Sequence, residues 1–77
     1  MSHHPTRACS LHEPQVIRRD PDHPDREVAW PVEGRAHLGP GGVTLVDYRT
    51  ETGASGLHVF LNANERVMVS ETAGAAA

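Results

Sequence analysis

The sequence predicts an all-β protein: a small antiparallel sheet or incomplete barrel of three to five strands, behind a flexible Pro- and His-rich N-terminal arm. Three observations carry this. All seven glycines and nearly all the large apolar residues lie after residue 27. The apolar residues gather into three short runs, residues 43–49, 57–61 and 66–70, rich in Val with Tyr, Phe and Thr. Gly- or Asn-rich turns separate the runs, as in an antiparallel meander. The chain then divides into an arm over residues 1–27, a β domain over 28–70 and a disordered tail over 71–77.

The arm holds four of the six prolines and four of the six histidines, with Leu11, Val16 and Ile17 its only large aliphatic residues. Prolines at such intervals forbid a long helix and favour extended backbone. Two local structures compete within it. Ser10 and Glu13 are spaced as a capping box for one or two helical turns, while residues 15–19 also suit a short strand that touches the sheet through Val16 and Ile17. Asp20, Pro21, Asp22, Pro24 and Asp25 form a stiff acidic hinge.

Beyond the hinge, Val28, Trp30 and Val32 alternate onto one face. Pro31 points the other way and cannot donate to a ladder, which places this segment at a sheet edge. Residues 39–42, Gly-Pro-Gly-Gly, break the chain. The 43–49 run is apolar on both faces, Val43 and Leu45 against Val46 and Tyr48, as a central strand would be. Residues 50–56 read as a seven-residue polar loop. In the 57–61 run, Leu57, Val59 and Leu61 face the core and His58 and Phe60 face outward. Asn62 and Asn64 tolerate the backbone of a four-residue hairpin turn, residues 62–65. The 66–70 run returns with Val67 and Val69 inward.

Composition narrows the function. A core this small makes a marginal monomer. The single cysteine, Cys9, excludes an intramolecular disulfide, leaving oligomerisation or a partner as the remaining support, with sheet edges to provide it. Net charge is −3, with no lysine and no basic stripe. That argues against nucleic acid as the main partner. No apolar run approaches the ~18 residues of a membrane-spanning helix, and the N-terminus lacks the apolar stretch of a signal peptide. The expected location is the cytoplasm, where a lone thiol stays reduced.

No catalytic fingerprint is present. Residues 39–42 carry a proline where phosphate-cradling amides are needed, and Cys9, Ser55, Ser70, Asp47 and His58 supply reactive residue types without a motif. No enzymatic activity and no cofactor are expected. Trp30, Tyr48, His58 and Phe60 are the candidate partner-binding residues, since aromatic side chains anchor interfaces and an outward Phe beside a His marks a binding face or a second packing layer. The arm folding back through Val16, Ile17 or Trp30 is the competing way to cover that face. The function this supports is a small non-enzymatic interaction module, accessory or regulatory, acting through sheet edges or the aromatic face and self-associating. The alternative is metal binding by the arm. Met1-Ser2-His3 offers a square-planar Cu(II) or Ni(II) site, and His3, His4, Cys9, His12 and His23 are ligand types suited to zinc. Cys9 and His12 form one usable pair without a second.

Overall fold

A computed structural model describes residues 3–71 of the chain. Six strands form one antiparallel sheet: β1 (His4–Arg7), β2 (Val16–Asp20), β3 (His23–Leu38), β4 (Thr44–Arg49), β5 (Ser55–Phe60) and β6 (Arg66–Ser70). Their order across the sheet is β1-β6-β2-β3-β4-β5. Short 3-10 turns at Ala8–Ser10 and Pro40–Gly42 complete the described elements, with no α-helix among them. The protein is all-β, as the strand patterns predict, with one strand more than the upper expectation.

The 16-residue β3 organises the fold. Its first half pairs with β2, Ile17 opposite Trp30, and its second half pairs with β4, Val32 opposite Tyr48 and His37 opposite Leu45. The β4 register slips between Glu33 and His37, around Gly34, whose φ of 70° lies in the left-handed region. A slip of this kind bends a strand and increases its twist. The sheet therefore curls over itself. One buried cluster takes Ala8, Leu11, Ile17, Val67 and Val69 from one half and Val46 and Phe60 from the other, with Val28 and Val32 of β3 between them.

The expected arm is where structure and expectation differ most. His4–Arg7 and Val16–Asp20 are strands, and Ala8, Leu11, Val16 and Ile17 are core residues. The segment joining them runs beside β3: Ala36 donates its amide to the Leu11 carbonyl (2.8 Å), and Glu13 donates to Gly34 (2.7 Å). The Glu13–Pro14 peptide is cis. A few well-placed aliphatics suffice because each is fully buried, so the low apolar density of residues 1–27 misleads. Of the two local alternatives, the strand forms and the capping-box helix does not. Of the expected tail, residues 72–77 lie outside the described residues, as do Met1 and Ser2 of the copper-type motif. Glu71 accepts a hydrogen bond from Gln15 Nε2 (3.2 Å), and its carboxylate stands 2.8 Å from His4 Nε2.

Two placements of strands also change. β3 is a central strand, with β2 on one side and β4 on the other, and within Val28–Val32 only Val32 pairs with β4. Pro31 is tolerated there because the amide of Val32, its neighbour, makes the bond to β2, at Gln15 (2.9 Å). Ladder bonds alternate, so Pro31 takes a non-bonded position opposite Val16, and the pairing with β4 begins only at Val32. The middle of the sheet thus belongs to β2 and β3, and β4 lies second from one edge. β6 does not form a hairpin with β5. Residues 62–65 turn a corner instead, Asn62 accepting from the Asn64 amide through its side chain (2.9 Å) and from Glu65 through its carbonyl (3.0 Å). The chain crosses to pair β6 with β1 and β2, which puts Val67 and Val69 on the same core as Phe60.

Candidate functional site: the β5 edge and the aromatic group beside it

β4 and β5 are joined through residues 50–54, shorter than the seven-residue loop expected, with three residues, 51–53, inside the bonded Thr50–Ala54 pair. Thr50 accepts from the Gly53 amide (2.9 Å) and donates its own to Ala54 (2.8 Å), and Gly53 has φ 87°. This is a turn closed by a left-handed glycine, a common three-residue hairpin connection. It fixes the register: Thr44 opposite Phe60, Leu45 opposite Val59, Val46 opposite His58, Asp47 opposite Leu57 and Tyr48 opposite Gly56.

That register inverts the expected faces of β5. Phe60 is 1% exposed and sits in the core, whereas Leu57, Val59 and Leu61 are 54%, 45% and 83% exposed. Three alternating aliphatics outnumber one Phe in the sequence pattern. The inner positions of β5, however, must pack on Thr44 and Val46, both buried, and a Phe ring fills that space with more apolar area than any aliphatic. The alternative in which residues of the arm cover Phe60 matches the packing, since Ile17 and Phe60 share one core cluster.

The four candidate partner-binding residues do not form one outward face. Trp30 and Tyr48 stack, ring centroids 4.7 Å apart and planes 8° from parallel. The next residue along is Gly56, where an added Cβ would come within 2.6 Å of the Tyr48 ring. Both aromatics are half-buried. Glu51, in the β4–β5 loop, accepts from Trp30 Nε1 (2.9 Å) and from the Ala29 amide (3.1 Å), which ties the loop back to β3. Its carboxyl is held below its ordinary value, first by a hydrogen bond from its own backbone, then by the Trp30 and Ala29 donors. Tyr48 is pushed above its ordinary value, first by burial and then by the negative charges of Asp20 and Asp22. His58 leans on Phe60, with ring centroids 4.4 Å apart, and its Nε2 stands 3.9 Å from Asp22 in the β2–β3 turn. Trp30, Tyr48 and His58 rim the inner face, and Phe60 lies beneath it.

What the sequence pattern hides is the outer face and edge of β5. Beyond β5 no further strand pairs among the described residues. Counted from the bonded Thr50–Ala54 pair, ladder alternation turns the amides and carbonyls of Gly56, His58 and Phe60 toward β4. Those of Ser55, Leu57 and Val59 point away from the sheet. Above them lies an apolar strip of Leu45, Leu57 and Val59, extended by Leu61 beyond the strand. Outward side chains and outward backbone groups therefore coincide at Leu57 and Val59. The signal for this was present in the alternation, but its parity could be set only by the β4 pairing.

The remaining candidates are scattered. Cys9 is exposed. The ring nitrogens of His12 and His37 contact backbone carbonyls, those of Glu13 (2.7 Å) and Arg35 (3.5 Å). Among the described residues no three His, Cys, Asp or Glu side chains stand together as metal ligands. A groove of about 250 Å³ beside β1 and β6 is lined by Pro5, Arg19, Pro24, Arg66 and Met68, and Arg19 there is engaged by the Pro24 carbonyl and Glu27. No helix among the described residues is long and apolar enough to cross a membrane. Compared with protein-family models, with curated proteins and with solved structures, the chain finds no match.

Proposed function

We propose that this chain is a small non-enzymatic interaction module that works by strand addition at β5. The observation that carries it is the coincidence, at Leu57 and Val59, of outward backbone groups and exposed apolar side chains. Strand addition uses those two components: main-chain bonds supply affinity and alternate side chains supply specificity. An edge left open in this way is an invitation to pairing, which proteins ordinarily block with charge, proline or a covering segment. β5 carries neither of the first two blocks, since its sequence, Ser-Gly-Leu-His-Val-Phe, has no proline and no fixed charge, and among the described residues no strand pairs beyond it.

Trp30, Tyr48 and Glu51 support this edge from within. The stacked rings and the Glu51 clamp hold the β4–β5 hairpin against β3, so β5 is presented as a rigid template. We also place the protein in the cytoplasm, where its exposed Cys9 stays a thiol. Amide hydrogen exchange in dilute solution tests the edge. The amides of Leu57 and Val59 should exchange fast, and those of His58 and Phe60, bonded to β4, slowly. Equal protection of all four would mean that the edge is already covered by the chain itself, and would remove the proposal.

A further inference from the structure

We infer that the strand added to β5 is the β5 of a second copy, paired antiparallel about a two-fold axis through His58. The inference rests on the open-edge reading and goes further by naming the partner.

The β5 edge is complementary to itself. A two-fold axis at His58 sets Leu57 opposite Val59 of the other copy, and Val59 opposite its Leu57. These are the positions whose amides and carbonyls point outward, so each such pair exchanges two backbone bonds. The inner face accommodates the register as well: Phe60 falls opposite Gly56, large against small, and His58 meets its own counterpart on the axis. An isologous contact requires a surface of this kind, complementary to itself. Register centred on Leu57 would set Val59 against Ser55 and lose the apolar match.

Charge permits the same contact. No fixed charge lies on β5, so two copies approach without like charges in the pairing strands. The nearest acidic side chain on the outer face, Asp47, lies beside Leu57. In the dimer the two Asp47 residues stand on the first and fourth of four adjacent strands, at opposite corners of the strip, which reads Leu45, Val59, Leu57, Asp47 across the axis. The other edge forbids the same contact. β1, His-Pro-Thr-Arg, carries Pro5 without an amide hydrogen and Arg7 with a fixed charge, two recognised edge-blocking devices. Pairing is thereby directed to a closed β5–β5 dimer and away from β1–β5 filaments.

The length of the edge limits the strength of the contact. Six paired residues span about 20 Å of edge, and with Leu57, Val59 and Leu61 covered on both copies the contact is smaller than the ~800 Å² per partner of a standard interface. The dimer is accordingly weak and reversible, and its dissociation constant is what a concentration series measures.

Sedimentation equilibrium of the full chain, from about 1 to 500 µM, tests this together with two variants. Val59→Pro removes an outward amide hydrogen without breaking a bond to β4, and Leu57→Lys puts a charge on each side of the axis. The expected result is a concentration-dependent doubling of mass, with association weakened at least tenfold in both variants. If Val59→Pro does not fold, Leu57→Lys alone decides. A dimer of equal strength in the variants overturns the inference. So does a wild-type monomer at every concentration. In that case amide exchange separates the two claims: fast exchange at Leu57 and Val59 leaves an open edge for another partner, and slow exchange removes the edge as well.

Discussion

The two ends of this sheet solve the same problem in opposite ways. β1 is four residues long and contains Pro5 and Arg7; its His4 is tied to Glu71, and Pro5 pairs with Met68 of β6. β5 is six residues of uncharged sequence with Leu57 and Val59 turned outward. A chain that blocks one edge and, among its described residues, leaves the other bare has an asymmetry that general solubility does not explain. The difference teaches where to look for function in a small sheet protein: at the edge that lacks the ordinary protection.

The assignment of β5 faces underlies this contrast and is the easiest part to break. Phe60→Ala should cost about 3–5 kcal/mol, as large core truncations do, enough to unfold much of a domain with so small a core. Leu61→Ala, on the outer side, should cost no more than about 0.5 kcal/mol. Urea unfolding of dilute samples compares the two; similar losses would mean that the faces are wrongly assigned.

Next in size is the support behind β5. Gly56→Ala places a methyl within 2.6 Å of the Tyr48 ring, and overpacking of this kind costs about 1–3 kcal/mol. Thermal unfolding measures it. A neutral substitution would show that the Trp30–Tyr48 stack is loose and β5 less rigid than described.

How much of this was legible in the residues depends on which interaction decided each feature. The all-β class, the β4 run and the Gly-Pro-Gly-Gly turn were legible because period-2 patterns and turn residues act locally. At that turn Pro40 precedes Gly41 with φ 75°, which suits a Pro-Gly turn of the second type. The parity of β5 was not legible, since alternation marks two faces without saying which is inward. Nor was the role of residues 4–20: Leu11, Val16 and Ile17 look sparse along the chain, yet lie at 1%, 2% and 0% exposure once β6 crosses to meet β2. The crossing is a long-range choice that hairpin-like spacing at residues 62–65 conceals. Of the aromatic candidates, Trp30, Tyr48 and His58 do gather beside the edge, while the residues that line it are ones the pattern assigned to the core.

A third test sharpens the contrast by making the two edges alike. Pro5→Val with Arg7→Val restores a donor and removes a charge at β1. The double variant should associate several-fold more strongly and beyond the dimer, because β1–β5 contacts do not close. Light scattering against concentration reads this, and unchanged behaviour would show that Pro5 and Arg7 are not what protects β1.

The smallest effects come from pH. Glu51 titrates below its ordinary value of 4.5 when folded, so the unfolded chain takes up its proton first. The stability it contributes is present above pH 4.5 and fades as pH falls through the lower folded value. Because Glu51 is exposed, the gain is screened and amounts to a few tenths of a kcal/mol. Tyr48 has the opposite sign: its folded value is raised above 10.0, so its contribution is complete below pH 10 and is lost as pH rises through the folded value. Glu51→Gln should flatten the acid limb of a stability–pH curve and leave the alkaline limb unchanged. Tyr48→Phe should do the reverse.

The central claim is that β5, and not β1, is the pairing edge, and that it pairs with itself through Leu57 and Val59. An isotope-filtered NOE experiment on an equal mixture of labelled and unlabelled protein, concentrated above the dissociation constant, observes that contact directly. The account predicts contacts between copies joining the Leu57 backbone of one to the Val59 backbone of the other, with His58 near its own counterpart. Contacts between copies that involve β1, or that bypass residues 55–61, would contradict it.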